Sequence, residues 1–405
     1  MRYLSAHYVF PVSSPPLRNG IICVDDHGCI DRIIDTGGKL EECEKLEFYN
    51  GVLVPGFVNA HCHLELSHLH GVVEPNGGLP GFISSIGKLR GASDETILAA
   101  AKAADDEMRR NGTVAAGDIS NNAGTLTVKR NSHIWYHTFV EIFGLGNSRA
   151  QEIFVSAQQV EREYRDAGMS VSIVPHAIYS VSQALWQNLY RSYKSSPSRV
   201  ISMHHQESCE EMWPYPDGKG ELAGMFRKNG LLARNPNGET LNEVKPEIGD
   251  IPQMMNCFRE AANCLLVHNT FSSKDDLLKY TSDPGRFYFV LCPGSNLFIQ
   301  NRLPSLQLFS SPELCRNICL GTDSLASNTK LSILEEIKII HQHAPDIPLG
   351  MLLQWATLHG ASALGCDDLY GSFEKGKAPG VNLITDIDFD RMQFTAKSAV
   401  KALVP

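Results

Sequence analysis

The sequence has no CxxC pair, no long apolar run and no excess of positive charge. Its eleven cysteines are scattered and odd in number. That excludes the disulfide framework of a small secreted domain and reads as reduced, buried thiols. No apolar stretch approaches the roughly 18 residues that span a bilayer. The first 16 residues are interrupted by Arg2, His7 and three prolines, so no signal-peptide core is expected there. Lys and Arg number 36 against 45 Asp and Glu, a net charge of −9. A chain that tracks phosphates needs a basic patch, so nucleic acid is not an expected partner. Internal repeats of fixed period and low-complexity tracts are also missing. What is present is ordinary globular composition, 43% hydrophobic and 20% charged, enough for a packed core. The expectation is an acidic, cytoplasmic protein with a small-molecule partner, without membrane partners and compatible with a homo-oligomer. The 405 residues accommodate one large barrel plus a small module, or two to three ordinary domains.

Short apolar runs near residues 8–10, 21–24 and 30–34 are separated by Pro15-Pro16, Asn19-Gly20 and Asp26-His27-Gly28, which are turn signals. From Val52 the pattern becomes strands alternating with helices. Strands are expected at 52–60, 113–118, 134–143, 171–176, 200–205, 264–268, 287–292 and 318–322. Helices are expected at 95–110, capped by Ser93-Asp94, at 150–166 after a Ser148/Gln151 capping box, at 331–343 and at 352–364. The segment 229–256, rich in Asn, Gly, Pro and charge, reads as an irregular excursion. Eight strands alternating with helices fit an α/β fold, a (β/α)8 TIM-type barrel with long loops. The assembly expected is a barrel over 55–368, with a small β-sandwich domain built from both chain ends, 1–54 and 369–405.

His61 and His63 close the first barrel strand, two residues apart and therefore on one face. Barrel enzymes place their chemistry at that end of the strands. Two convergent neutral imidazoles suit a divalent transition metal. His204 and Glu207 end the fifth strand, His268 the sixth and Asp323 the eighth. Three histidines and an aspartate could complete a mononuclear site, leaving a His and a Glu to handle protons.

These residues carry a resemblance. Pro55-Gly56-Phe57-Val58-Asn59-Ala60-His61-Cys62-His63-Leu64-Glu65, Pro175-His176-Ala177, His204-His205-Gln206-Glu207, Val267-His268, Cys292-Pro293-Gly294-Ser295-Asn296 and Gly321-Thr322-Asp323-Ser324-Leu325-Ala326-Ser327-Asn328 follow one another as in the metal-dependent amidohydrolases. The chain most resembles their aminohydrolase, or deaminase, branch. The resemblance implies that His61, His63, His204 and Asp323 hold one divalent ion, zinc with Fe2+ as the alternative. Water would be the remaining ligand, its pKa lowered toward 7. It implies that Asp323 and His268 take the proton of that water. Glu207 would protonate the ring nitrogen beside an amino-bearing carbon. The branch's His-x-x-Glu spacing selects His204 over His205. His176 stands where a dinuclear relative would carry a bridging lysine, which favours a single ion, and it resembles a substrate-contacting histidine.

The stretch from His63 through Gly77-Gly78-Leu79-Pro80-Gly81-Phe82-Ile83 reads as a Gly/Pro-rich loop over the substrate. Phe82 and Ile83 could cover a ring, and Glu65 could accept from sugar hydroxyls or tie down its own loop. Glu141 and Asp118 end neighbouring strands on the mouth side. The segment around His63-Leu64-Glu65 is most similar to the aminofutalosine deaminase group. The expected function is hydrolysis of C–N bonds other than peptide bonds, as deamination of a purine-like N-heterocycle. The alternatives are a chlorohydrolase or amide hydrolase using the same metal, and a non-catalytic ligand-binding barrel. Cys62, Cys209 and Cys292 are not expected to act as ligands or catalysts.

Overall fold

Strands from both chain ends pair in one sheet. The computed structural model describes residues 1–41, 45–196, 199–212, 222, 224, 251–281 and 286–405. In it β1 (Arg2–Val9), β2 (Leu17–Arg18), β3 (Ile21–Val24), β4 (Ile30–Ile34) and β5 (Leu46–Pro55) combine with β14 (Val381–Asp388) and β15 (Gln393–Val404). The seven-stranded order is β15-β14-β5-β1-β3-β4, with β2 beside β1. β5 is parallel to β1 and antiparallel to β14, with Val381 opposite Pro55. The period of two along β5 sends Leu53 into this sheet's own core, with Leu4, Ile22 and Leu383. The same alternation sends Val52 and Val54 into the larger core. One strand therefore couples the two apolar clusters.

The expected strand 52–60 is two strands. β5 ends at Pro55 and β6 (Phe57–Cys62) begins after Gly56. A Cβ on Gly56 would stand 2.3 Å from Val114 Cγ1 and 2.6 Å from Pro379 O, so only glycine lets the chain pass between the sheets. The remaining strands are β7 (Thr113–Ser120), β8 (Trp135–Ile142), β9 (Ser170–Pro175), β10 (Val200–His205), β11 (Asn263–His268), β12 (Phe287–Leu291) and β13 (Ile318–Leu320). They pair as two parallel four-stranded sheets, β6-β7-β8-β9 and β10-β11-β12-β13. Isolated parallel bridges link Ala177 with His204 and Cys62 with Asp323. At these seams His204 N–H donates to His176 O at 2.9 Å, and Thr322 N–H to His61 O at 2.9 Å. Buried Asn59 adds Nδ2–H···Thr322 Oγ1 at 2.8 Å. Each expected strand from 113 onward is present within a few residues.

The helices show three departures. Asp94–Arg110 begins as expected, its Ser93 N-cap accepting from Thr96 N–H at 3.3 Å. Ala150–Asp166 is capped at Arg149, without a side-chain bond, because Asn147–Arg149 forms a 3-10 turn ahead of it. The Ser148 capping box is therefore not made. The expected helix 352–364 is two, Leu349–Ala356 and Leu358–Leu364, interrupted where Thr357 takes φ −137° and ψ −86°. The expected loop after β6 contains a helix, Gly78–Leu89. Pro80 sits in its first turn, where a missing N–H does no harm, and Leu79, Phe82, Ile83 and Ile86 fall at helical spacing. The expected excursion at 229–256 lies outside the described residues up to 250, and the helix Ile251–Phe258 follows. No described helix is long and apolar enough to cross a membrane.

Candidate metal centre and active site

β6 ends in His61 and Cys62, and His63 follows directly. The Nε2 atoms of the two histidines lie 3.1 Å apart, a contact that a shared cation satisfies for both nitrogens. Across the seam, Asp323 Oδ1 is 3.7 Å from His61 Nε2 and 3.3 Å from His63 Nε2. β10 and β11 add His204 and His268, with ring centroids 5.0 and 5.8 Å from that of His61. The ligand atoms of His61, His63 and Asp323, and those of His61, His204 and His268, lie within 4.8 Å of one another in each group. His268 and Asp323 hold φ of 76° and 57°. That left-handed backbone is uncommon outside glycine and is typical of functional strand ends.

His204 and His205 part as alternation on a strand requires. His205 faces away from the mouth, its Nδ1 2.9 Å from Asn269 Oδ1 and its Nε2 3.1 Å from Tyr280 OH. His204 Nδ1 lies 3.0 Å from His176 O and 3.4 Å from Glu141 Oε1. Donating Nδ1–H to that side leaves the Nε2 lone pair for the cluster.

Burial holds the imidazoles neutral, His61 down at about 4 and His268 at about 3, with His63 well below its ordinary value. Burial also lowers His204. Burial alone would raise Asp323, but its contacts with the imidazoles of His61, His63 and His268 hold it well below the carboxylate range. Neutral imidazoles around one ionised carboxylate form the donor set of a divalent transition metal. Buried His61 Nδ1, His268 Nε2 and Glu141 Oε1 have no hydrogen-bond partner among the described residues. Such orphans are expensive unless a ligand serves them. The chemistry and convergence of the donor set, rather than these orphans, fit a bound cation.

A cavity of about 230 Å³ opens above the cluster. Glu65, Phe82, Glu141 and His176 all line it, as do Ile83, Glu207, His204, His268 and Asp323. Glu207 Oε1 is 3.8 Å from His268 Nε2. Burial first, then the neighbouring Asp323 and Glu211, pushes the Glu207 carboxyl well above the usual range. Glu65 lines the cavity and also ties its surroundings, Oε2 accepting from Asn121 N–H at 3.0 Å; burial raises it to about 7. Arg90, Asn121, Phe143 and Tyr179 join the lining without having been singled out from sequence. A signal for Arg90 exists, since it extends the stripe Leu79, Phe82, Ile83, Ile86 by one more helical turn. Glu141, His176 and His204 form a further close group.

Asp118 is not in the mouth. Its Oδ2 pairs with the fully buried Lys129 ammonium at 2.5 Å, and its Oδ1 accepts from Leu64 N–H at 2.7 Å, immediately after His63. Cys62 Sγ faces the same carboxylate, away from the cluster. Cys292 is buried, while Cys209 is exposed. Lys129→Met is expected to destabilise the fold by about 3–5 kcal/mol, because it leaves a buried carboxylate uncompensated. Calorimetric unfolding checks this, and an unchanged midpoint would contradict it.

The sequence profile of the Amidohydrolase family matches residues 52–401. A Helicobacter pylori adenosine deaminase is 25% identical over 366 residues, 87% of this chain and 86% of that protein. The crystal structure of H. pylori aminofutalosine deaminase in complex with methylthio-coformycin shares the fold, with TM-score 0.79 and 24% identity over 98% of this chain and 94% of that one. An adenosine deaminase from Xanthomonas campestris with bound zinc gives TM-score 0.68 and 21% identity, over 94% and 84%. The matched span runs from β5 almost to the chain end and includes every residue of the cluster. The chain thus belongs to the amidohydrolase family.

Proposed function

We propose that this chain hydrolytically deaminates an adenosine-type N-heterocycle, with one zinc ion held by His61, His63, His204 and Asp323. The observation that carries the reading is Glu207, a buried carboxyl that lines the same cavity as the histidine cluster, 3.8 Å from His268 Nε2. A bound divalent ion supplies Lewis acidity and lowers the pKa of water toward 7. Glu207 delivers a proton to the ring nitrogen beside the amino-bearing carbon, takes back the proton that water gave up to His268, 3.8 Å away, and passes it to the ammonia as the C–N bond breaks. His268 and Asp323 receive the proton released by water and orient that water. Phe82 and Ile83 cover the ring and exclude solvent. Glu65, Glu141 and His176 accept from or donate to the polar groups of the substrate. Orphaned Glu141 Oε1 supports an acceptor role. An adenosine- or aminofutalosine-type compound is the substrate class that the named relatives favour. In the same proposal the two parallel sheets close into one (β/α)8 barrel over residues 55–368. Residues 1–54 and 369–405 make a small β-sandwich domain beside it. The seam bridges support the closure, and the separate apolar cluster supports the second domain.

The test is ammonia release from adenosine, 5′-methylthioadenosine and aminofutalosine-type nucleosides, with and without chelator. Chelator-sensitive release from at least one is expected. No ammonia from any heterocycle by protein with stoichiometric metal would reject deamination, and chloride release from chlorinated triazines would replace it with the chlorohydrolase reading.

A further inference from the structure

Glu336 is a buried carboxylate that the proposed reaction does not use. It lies on the helix Ile333–His343 and is 1% exposed. Its Oε2 accepts from Gly294 N–H at 2.7 Å, in the first turn of the helix Pro293–Gln300. Its Oε1 accepts from Asn328 Nδ2–H at 2.7 Å. The same Asn328 amide donates to Thr322 O at 2.9 Å. One carboxylate thus ties the segment after β12 to the segment after β13. Burial pushes this carboxyl up to about 8, with the two N–H donors pulling the other way. In either protonation state both oxygens retain a lone pair, so the tie does not depend on charge.

Each tied segment carries a serine aimed at the candidate ligand. Ser295 Oγ donates to Asp323 Oδ2 at 2.6 Å and Ser327 Oγ to the same oxygen at 2.7 Å. The two hydroxyls are 3.0 Å apart. With Oδ2 taken twice, Oδ1 is left to the imidazole cluster. Gly294 independently indicates how close this junction is. A Cβ there would stand 2.7 Å from Asn328 Nδ2 and 2.9 Å from Glu336 Oε1, which wedges the tie open.

We infer that Glu336 is a positioning residue, which clamps the two segments so that Ser295 and Ser327 present Asp323 Oδ1 to the cation. This rests on Asp323 being a ligand of that cation. Partners behind a ligand typically change metal affinity or activity by about 10–100-fold when removed. Glutamine can accept on only one side, so Glu336→Gln breaks one limb of the clamp.

The experiment measures zinc loss from loaded full-length protein in chelator, kcat and KM separately, and the unfolding midpoint of the metal-free forms. E336Q is expected to lose zinc about tenfold faster and to lower kcat with KM within about twofold. The S295A/S327A double variant should do the same. Adding E336Q to it should change zinc loss by less than about twofold, because residues in one chain of contacts are non-additive. Gly294→Ala should reproduce E336Q and serves in its place if that variant does not fold. Zinc loss from E336Q at the wild-type rate overturns the inference. So does an effect of E336Q that multiplies fully with S295A/S327A, since a purely structural role would act that way. Wild-type zinc retention in Asp323→Ala would instead remove the ligand assignment and the clamp's role with it.

Discussion

Zinc-loaded protein carrying His61→Ala and Asp323→Ala together is expected to lose its ion on gel filtration and at least about 10³-fold in turnover. The two residues meet at the seam, where Thr322 and Asp323 N–H groups both donate to His61 O. Their side chains share the group of ligand atoms that also includes His63. Removing both leaves imidazoles without a carboxylate to balance the charge of a cation. Lewis-acid stabilisation of this kind contributes several kcal/mol, and each ~1.36 kcal/mol is a factor of ten in rate. Elemental analysis and ammonia release measure the two losses together. Stoichiometric zinc with wild-type turnover would place the metal elsewhere.

Glu207→Gln should leave zinc content intact and reduce kcat by about 10²–10⁴-fold, the usual range for a positioned proton donor. The amide occupies the same space beside His268 but cannot carry a proton to a ring nitrogen. Burial is the first cause of the raised carboxyl. Removing an ionisable group from that surrounding removes a desolvation penalty, so the unfolding midpoint is expected to hold or rise. A variant that loses zinc and activity in parallel would make Glu207 part of the metal centre. A variant with unchanged kcat would leave the proton to another group.

The cluster was legible because its signal is local. His61 and His63 stand two apart on a strand, Glu207 stands three after His204, and His268 and Asp323 each mark the end of an apolar run. Strand alternation allows only one of His204 and His205 to face the mouth, and the His-x-x-Glu spacing of the resemblance selects His204. Asp118 departs from its expected place on the mouth side for a complementary reason. A strand-end carboxylate looks alike whether it faces the mouth or a buried lysine, and Lys129 lies in another element altogether. The helix Gly78–Leu89 reads as a loop in sequence because Gly77-Gly78 and Pro80-Gly81 outweigh the apolar spacing behind them. The first turn of a helix tolerates that composition.

Order along the chain and side-chain chemistry by themselves pointed to the alternating α/β plan, to the candidate donor set and to His204 rather than His205. These are properties of short windows, where periodicity and residue type act over a few positions. Only the tertiary structure decided what meets across long separations. It joined His61 to Thr322 and Asp323 through the seam, sent alternate residues of β5 into two cores, and put Arg90 and Asn121 around the cavity. It also brought Glu336 against Gly294 and Asn328. The physical reason is that such contacts are set by how sheets close and helices pack, and packing joins residues without regard to their distance in sequence.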